Sequence, residues 1–303
     1  MERLFNMGTT VEKLNKVLET KEAIRTAINN KGGTLTTSDT FASYSSAIDS
    51  LPSGSGEDRL KKLLDTTKST HRLFYEYKGT SVNDLISYND TENVTDMRYM
   101  FQDAQNILSI PELNTNSVTD MSSIFSGCSN LTTIPQLDTS NVTNTSNMFY
   151  NCQKLTTIPL LDTSNVTRMN YMFQSCSNLT TIPQLNTNKV TNMSCMFTYC
   201  YNLVTIDITH MKITSTSNSN QFALNCHSLT KLIIRNMTTI PTLNSNSFNR
   251  CFHFTGTIDA TYNPNGLKDG RIYVPDDKVE ALKTATNWSV YADIIVPLST
   301  LVE

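Results

Sequence analysis

The sequence predicts an α/β solenoid built of parallel strands and short helices, and three observations predict it. Val94, Val118, Val142, Val166 and Val190 recur every 24 residues, and each is followed by Thr. The same step carries Phe101, Phe125, Phe149, Phe173 and Phe197, then Cys128, Cys152, Cys176 and Cys200, with Ala104 in the first copy. It also carries Ile110, Ile134, Ile158, Ile182 and Ile206, the first four followed by Pro111, Pro135, Pro159 and Pro183. At such a period no copy buries its own apolar face, and stacking builds one continuous core. Only 38% of the chain is hydrophobic, and Ser, Thr and Asn are abundant, which suits a thin core under a polar skin.

The elements follow in order. Residues 9–29 read as an amphipathic helix with Val11, Leu14, Val17, Leu18, Ile24 and Ile28 on one face. Thr9 or Thr10 caps it and Gly32-Gly33 ends it. A lone helix of this length needs a partner, either the next segment or copies of itself. In the second case Val11, Leu14, Leu18, Ile24 and Ile28 form the oligomerisation face, although Lys21 and Arg25 interrupt a strict heptad. A second helix spans 39–51, with Phe41, Tyr44, Ala47, Ile48 and Leu51 at helical spacing. Residues 1–52 thus form a helical attachment unit, and the Pro/Gly/Ser linker runs to 56.

Residues 57–92 show no copy of the repeat and read as an N-terminal cap, with a helix from Glu57 and an aromatic turn at Leu73–Tyr77. The solenoid is expected over 93–266, with its register loosening after 208 through Phe222, Cys226, Leu229, Phe248 and Cys251. Within one copy, Val166, Met169, Met172 and Phe173 lie at helical spacing, so 165–176 is expected to be a short helix or 3₁₀ segment. Residues 178–185 (NLTTIPQL) read as a short strand closing on Pro183, with parallel strands stacking at about 4.8 Å. The end, 267–303, reads as an α/β C-terminal cap. Its strand is Arg271–Pro275, Asp276-Asp277 start a helix with Val279, Leu282 and Ala285, and Asn287-Trp288 break it before Tyr291, Ile294 and Ile295.

A net charge of −3 with 17% charged residues argues against a nucleic-acid partner, which calls for a clustered basic face. No run approaches the roughly 18 apolar residues of a membrane span. The start, MERLFNMGTTVEKLNK, lacks the basic-then-apolar pattern of a secretory signal, so export by that route is not expected. Six of the seven cysteines fall in the repeat position that also accepts Ala, which points to buried free thiols rather than a disulfide framework.

No catalytic set is visible. His71, His210, His227 and His253 are scattered, and Cys226-His227 with Cys251 and His253 lack the tight spacing of a zinc motif. Asp138 and Asp162, flanked by Asn114 and Asn186, suit local backbone capping better than calcium, which wants 6–8 oxygens. No cofactor or metal is expected. What remains is the set of positions that vary between copies: Tyr99, Ser123, Asn147, Tyr171 and Cys195, then Gln102, Ser126, Tyr150, Gln174 and Thr198. Of this surface, Tyr99, Tyr150, Tyr171, Gln174 and Tyr199 are the candidate ligand-binding residues, because exposed Tyr with neutral polar neighbours suits carbohydrate.

The phrase DTSNVTRMNYMFQSCSNLTTIPQL (162–185) resembles the BspA-type leucine-rich repeat, in the subgroup built on DTSNVTxMxxMFxxCxxLTxIPxL. Thr145 departs from it where Met is the rule, and the copies after 208 drift. The close, IYVPDDKVEALKTATNWSVYADIIVPL, is similar to the unit that follows such repeats in bacterial surface and phage tail proteins. The start, with LNKVLETKEAIRTAIN, FASYSSAI and a Gly/Ser linker, resembles the attachment segment of tail and baseplate fibres from phages of Gram-positive bacteria. These resemblances imply a non-enzymatic phage tail fibre or receptor-binding protein, a homotrimer made in the host cytoplasm and carried on the virion. Its partners would be a host cell-surface polymer or glycan and, through the N-terminal segment, other tail or baseplate proteins. The alternative is a bacterial cell-surface adhesin of the same repeat type. A glycan hydrolase would need an acid pair in a cleft, and the sequence offers none.

Overall fold

The computed structural model describes residues 68–83, 85–211, 216–244, 247–248 and 270–302. The helices expected at 9–29 and 39–51, the face of Val11, Leu14, Leu18, Ile24 and Ile28, and the helix expected from Glu57 all lie outside these residues.

From 68 to 211 the chain winds as a solenoid, and equivalent residues of successive coils form rows along its axis. The Phe row shows the stacking directly. Phe74, Phe101, Phe125, Phe149, Phe173 and Phe197 pile face to face with centroids 5.2, 5.7, 5.7, 5.6 and 5.5 Å apart and ring planes within 14°. Every ring of that row is essentially inaccessible, as are Val94, Val118, Val142, Val166 and Val190 and the Met pairs beside them.

The segment expected as a helix is a run of β-turns instead. Along Met169–Cys176 the N–H groups alternate in what they do. Those of Met169, Tyr171, Phe173 and Ser175 donate to carbonyls of the next coil, at Asn192, Ser194, Met196 and Thr198. Those of Met172, Gln174 and Cys176 turn back three residues, to Met169, Tyr171 and Phe173. Tyr171 and Ser175 take positive φ (61° and 63°), the conformation required at the third position of a type II turn. Left-handed residues at every fourth position forbid a continuous helix. Turns of three to four residues still send Val166, Met169, Met172, Phe173 and Cys176 inward, so the helical spacing was real while its cause was different.

Strand formation depends on proline. In the regular copies the expected strand 178–185 makes isolated contacts such as Thr180 N–H to Thr156 O (3.3 Å) and a single parallel bridge, Leu185 to Ile208. Pro183 and its equivalents lack the N–H that a ladder needs. In the next copy Asp207 takes the proline's place, and there β1 (Thr205–His210) forms. It pairs in parallel with β2 (Lys231–Asn236), then β3 (Arg271–Val274) and β4 (Ile295–Pro297), in the order β1-β2-β3-β4.

Two boundaries of the register differ from the expected ones. Residues 68–77 stack as a full member of the solenoid: the N–H groups of Thr70, Arg72, Phe74 and Glu76 donate to Asp96, Arg98, Met100 and Gln102. This first coil is a longer step from the next than 24 residues, and so its THRLFYEY was hidden from a search at the regular period. At the other end, Phe222 stands in the Met row and Ala223 in the Phe row, because Phe197 N–H donates to Phe222 O where Phe173 donates to Met196 O. The ring of Phe222 meets Phe197 edge-on, at 5.4 Å and 82°.

The C-terminal elements cover the last coil. A 3₁₀ turn (Asp276–Lys278) leads into α1 (Val279–Thr284), followed by a 3₁₀ segment, Ser289–Ile294. Trp288 is fully buried, packs on Phe248 at 5.9 Å and donates its Nε1–H to Pro241 O at 2.9 Å. Tyr291 also meets Phe248, edge-on at 5.5 Å. The Phe row thus ends against an aromatic pair.

Candidate functional site

The polar side chains that repeat most faithfully are spent on the solenoid's own backbone. The Thr after Val118, Val142 and Val166 donates twice to its predecessor: Thr143 N–H and Oγ1–H both reach Thr119 O (2.9 and 3.1 Å), and Thr119 and Thr167 do the same to Thr95 O and Thr143 O. Thr139 and Thr163 are buried and donate Oγ1–H to Asp162 O and Asn186 O. Asp138 and Asp162 accept from the N–H of Ser140 and Ser164 (3.0 and 2.9 Å). These bonds hold both carboxyls below the usual carboxylate range, so the pair is engaged in the local capping that its position before Thr suggested.

The thiols also have a definite job. Cys128, Cys152, Cys176 and Cys200 each donate Sγ–H to the carbonyl of the Phe one coil back, at 3.0–3.1 Å, and Cys226 does so to Phe197 O at 2.9 Å. All six cysteines among the described residues, including Cys195, are buried and free; Cys251 lies outside them. Burial pushes the Cys176 thiol up to about 12 and raises Cys128 and Cys152 as well. Cys226 points inward while His227 is exposed and stacks on Tyr201. This neighbouring pair therefore faces in two directions.

The candidate ligand-binding residues fall on three rows. Tyr99 and Tyr171 share one, three coils apart, with Ser123, Asn147 and Cys195. Tyr150 and Gln174 share a second and are one coil apart, while Tyr199 belongs to a third. Only Tyr150 is exposed; Tyr99, Tyr171, Gln174 and Tyr199 are half-buried. Their rows are not the open surface expected, since Ser123, Ser126, Cys195 and Thr198 are buried. Tyr99, Tyr171 and Tyr199 all take positive φ (59°, 61° and 62°), so each sits at a turn position of its coil. Tyr99 is held by the first coil: Arg72 sits over its ring at 5.4 Å and over Tyr75 at 5.2 Å, and His71 meets it edge-on at 5.2 Å. Burial lowers the pKa of that histidine.

The structure gathers a different group at the sixth and seventh coils. Tyr201 (41% exposed) stacks on His227 with centroids 5.3 Å apart and planes 21° from parallel. Tyr199, one of the candidates, lies 6.1 Å from Tyr201. Around them the outer rows carry Gln153, Ser177, Asn178, Asn202 and Ser228, and Lys154 supplies the one charge among these six. Sequence reasoning missed Tyr201 and His227 because they are 26 residues apart, where the period has already slipped from 24. Aligning on Cys200 and Cys226 would have found them.

Comparisons with known proteins address the family. Among solved structures the chain is similar to a T. pallidum leucine-rich repeat protein, at 18% identity and TM-score 0.35, covering 46% of this chain. The chain spans 62% of that protein's length. It is also similar to internalin C2 of Listeria monocytogenes, at 18% identity and TM-score 0.30, covering 78% of this chain and 83% of that one. No curated protein matches the chain by sequence. A family model matches residues 68–158, 130–237 and 154–261, together more than half of the chain, beginning at the first coil of the solenoid. The chain therefore belongs to the family described as Mycoplasma protein of unknown function, DUF285.

Proposed function

We propose that this chain is a non-enzymatic recognition protein that adheres to a bacterial cell surface. One observation carries this reading: the inward rows are nearly invariant from coil to coil, while the outer rows change among Tyr, Gln, Asn and Ser on the same backbone. A rigid rod with an interchangeable exterior suits many weak contacts along a polymer, and several copies of the chain multiply them. The non-enzymatic part rests on how the ionisable groups are used. Asp138 and Asp162 hold backbone N–H groups, and Asp96 grips Arg98 at 2.7 Å.

The finer form of the proposal is a phage tail fibre, a homotrimer on the virion, joined to other tail or baseplate proteins through residues 1–52 and meeting a host glycan or wall polymer with its solenoid. It rests on the resemblance of residues 9–56 to fibre attachment segments. The alternative is a bacterial surface adhesin of the BspA-like repeat type, which needs no trimerising segment. Sedimentation of the full chain and of a chain beginning at Glu57 separates the two. The fibre reading expects a trimer from the first and loss of association from the second. Equal masses would remove the role given to Val11, Leu14, Leu18, Ile24 and Ile28. Release of soluble product from purified cell-wall polymer would overturn the non-enzymatic reading.

A further inference from the structure

We infer that Tyr201 and His227, with Tyr199, Asn178 and Asn202, form a binding subsite for an uncharged polysaccharide. The inference rests on the surface-adhesion reading and names the ligand class and the place on the solenoid.

The first ground is the aromatic pair. Tyr201 and His227 are both exposed, yet they stack nearly parallel across two coils instead of turning away from each other. The two stacked rings cover each other's inner faces, and Tyr199, half-buried on the same coil as Tyr201, lies 6.1 Å away at 55°, so the cluster offers the outer faces and edges of three rings. An aromatic face carries the negative part of the ring quadrupole, and one side of a pyranose ring presents several C–H groups of the opposite polarity. The coil-to-coil step, 5.3 Å between these two rings, is close to the length of one sugar ring, so successive coils meet successive sugars of an extended chain.

The second ground is independent of the rings. Asn106, Asn130, Asn178 and Asn202 occupy one row. Asn106 and Asn130 donate Nδ2–H to the preceding coil, at Lys78 O (2.9 Å) and Gln105 O (2.8 Å). The side chains of Asn178 and Asn202 are exposed and have no hydrogen-bond partner among the described residues. The same residue type is thus structural in two coils and open in the two coils beside the aromatic surface. Each amide offers one acceptor and two donors, the set that pairs with vicinal hydroxyls and N-acetyl groups. Charge narrows the class: among the described residues of these two rows Lys154 is the one Lys, Arg, Asp or Glu, so neither a polyanion nor a polycation meets a clustered complementary field there.

The test uses the full chain and two uncharged linear probes, the hexasaccharides of N-acetylglucosamine and of β-1,4-linked glucose, followed by titration calorimetry. At least one is expected to bind, with an affinity insensitive to salt. Tyr201→Ala should weaken that binding about tenfold, the loss of one stacked ring, while Tyr201→Phe stays within about twofold. Asn202→Ala should weaken it severalfold. Tyr88→Ala, at an exposed ring on another part of the chain (51% exposed), should leave it unchanged. Tyr201 is at the surface, so an unchanged thermal midpoint separates loss of binding from loss of fold. Failure of both probes to bind, or equal binding by Tyr201→Ala, overturns the inference. Sedimentation with purified Gram-positive cell walls tests the parent reading separately. Walls bound equally by the wild type and Tyr201→Ala would sink the subsite and leave adhesion standing. A hexasaccharide bound as expected, with walls ignored, would do the reverse.

Discussion

A buried cysteine recurring in register can be kept for its volume, its reactivity or its hydrogen bond, and the geometry separates these. Ala104 takes the same place in one coil, so volume is not strict. The Sγ–H of each remaining member points at a Phe carbonyl one coil back, which makes the thiol a weak but correctly placed donor. Burial keeps it protonated: Cys176 is pushed from its ordinary 9.0 up to about 12. The sign of the pH dependence follows. Below pH 9 the thiol is protonated whether the chain is folded or not, and its contribution is fully present. Between pH 9 and about 12 the unfolded chain releases the proton and the folded one does not. Stability therefore falls as pH rises, by about 1.4 kcal/mol per pH unit for each such thiol. Cys176→Ala is expected to cost about 1 kcal/mol at pH 7 and to make this alkaline fall shallower by one proton. Chemical denaturation at a series of pH values measures both. An unchanged alkaline slope would mean that the thiol is not sealed from water.

At the scale of the element, the inward periodicity was legible and the backbone that delivers it was not. Val166, Met169, Met172 and Phe173 announce a face, and any winding with three to four residues per turn displays that face. The deciding signal lay at the positive-φ positions, Tyr99, Ser123, Asn147 and Tyr171 in one row and Asp103, Gly127, Asn151 and Ser175 in another. Only Gly127, Asp103 and the two asparagines advertise it; Tyr and Ser do not. The strand was legible in kind but misplaced, because Ile and Leu alternate in every copy while β1 forms only where Asp207 replaces the proline, which fixes φ and carries no N–H. Asp207→Pro should therefore loosen β1 against the preceding coil, where Asp207 O accepts from Leu185 N–H at 3.1 Å, and cost about 2 kcal/mol or more. Asp207→Asn, which keeps the N–H and gives up only the carboxylate held by Arg235 at 2.7 Å, should cost about 1 kcal/mol or less. Thermal unfolding compares them, and equal losses would show that the ion pair, not the ladder, holds this joint. The candidate site was legible only in its chemistry: tyrosines at varying positions were the right sign, but the turn geometry half-buries most of those chosen. The exposed pair formed where the period slips.

Across the whole molecule, nothing but neighbouring coils holds a coil in place. Each inner Phe of the row touches the rings one step before and one step after it, and the Thr hydroxyls and Cys thiols of the rows reach one coil back or one coil forward. Stability is then a sum of nearest-neighbour terms rather than the property of one shared interior. Such a chain opens locally, with free energies that vary along its length. Phe149 lies at the centre of the row, fully buried between Phe125 and Phe173 at 5.7 and 5.6 Å. Phe149→Ala should cost about 3–5 kcal/mol, because a rod cannot collapse onto the void without unstacking both neighbours. Hydrogen exchange followed by mass spectrometry on the full chain locates that cost. Amides of Phe125 and Phe149, whose partners are Met148 O and Met172 O, should lose most of their protection. Those of β2 and β3, several coils away and closed by Trp288, should exchange at the wild-type rate. A uniform loss of protection from 97 to 297 would mean that the rod melts as one unit, and the nearest-neighbour account of its stability would have to be abandoned.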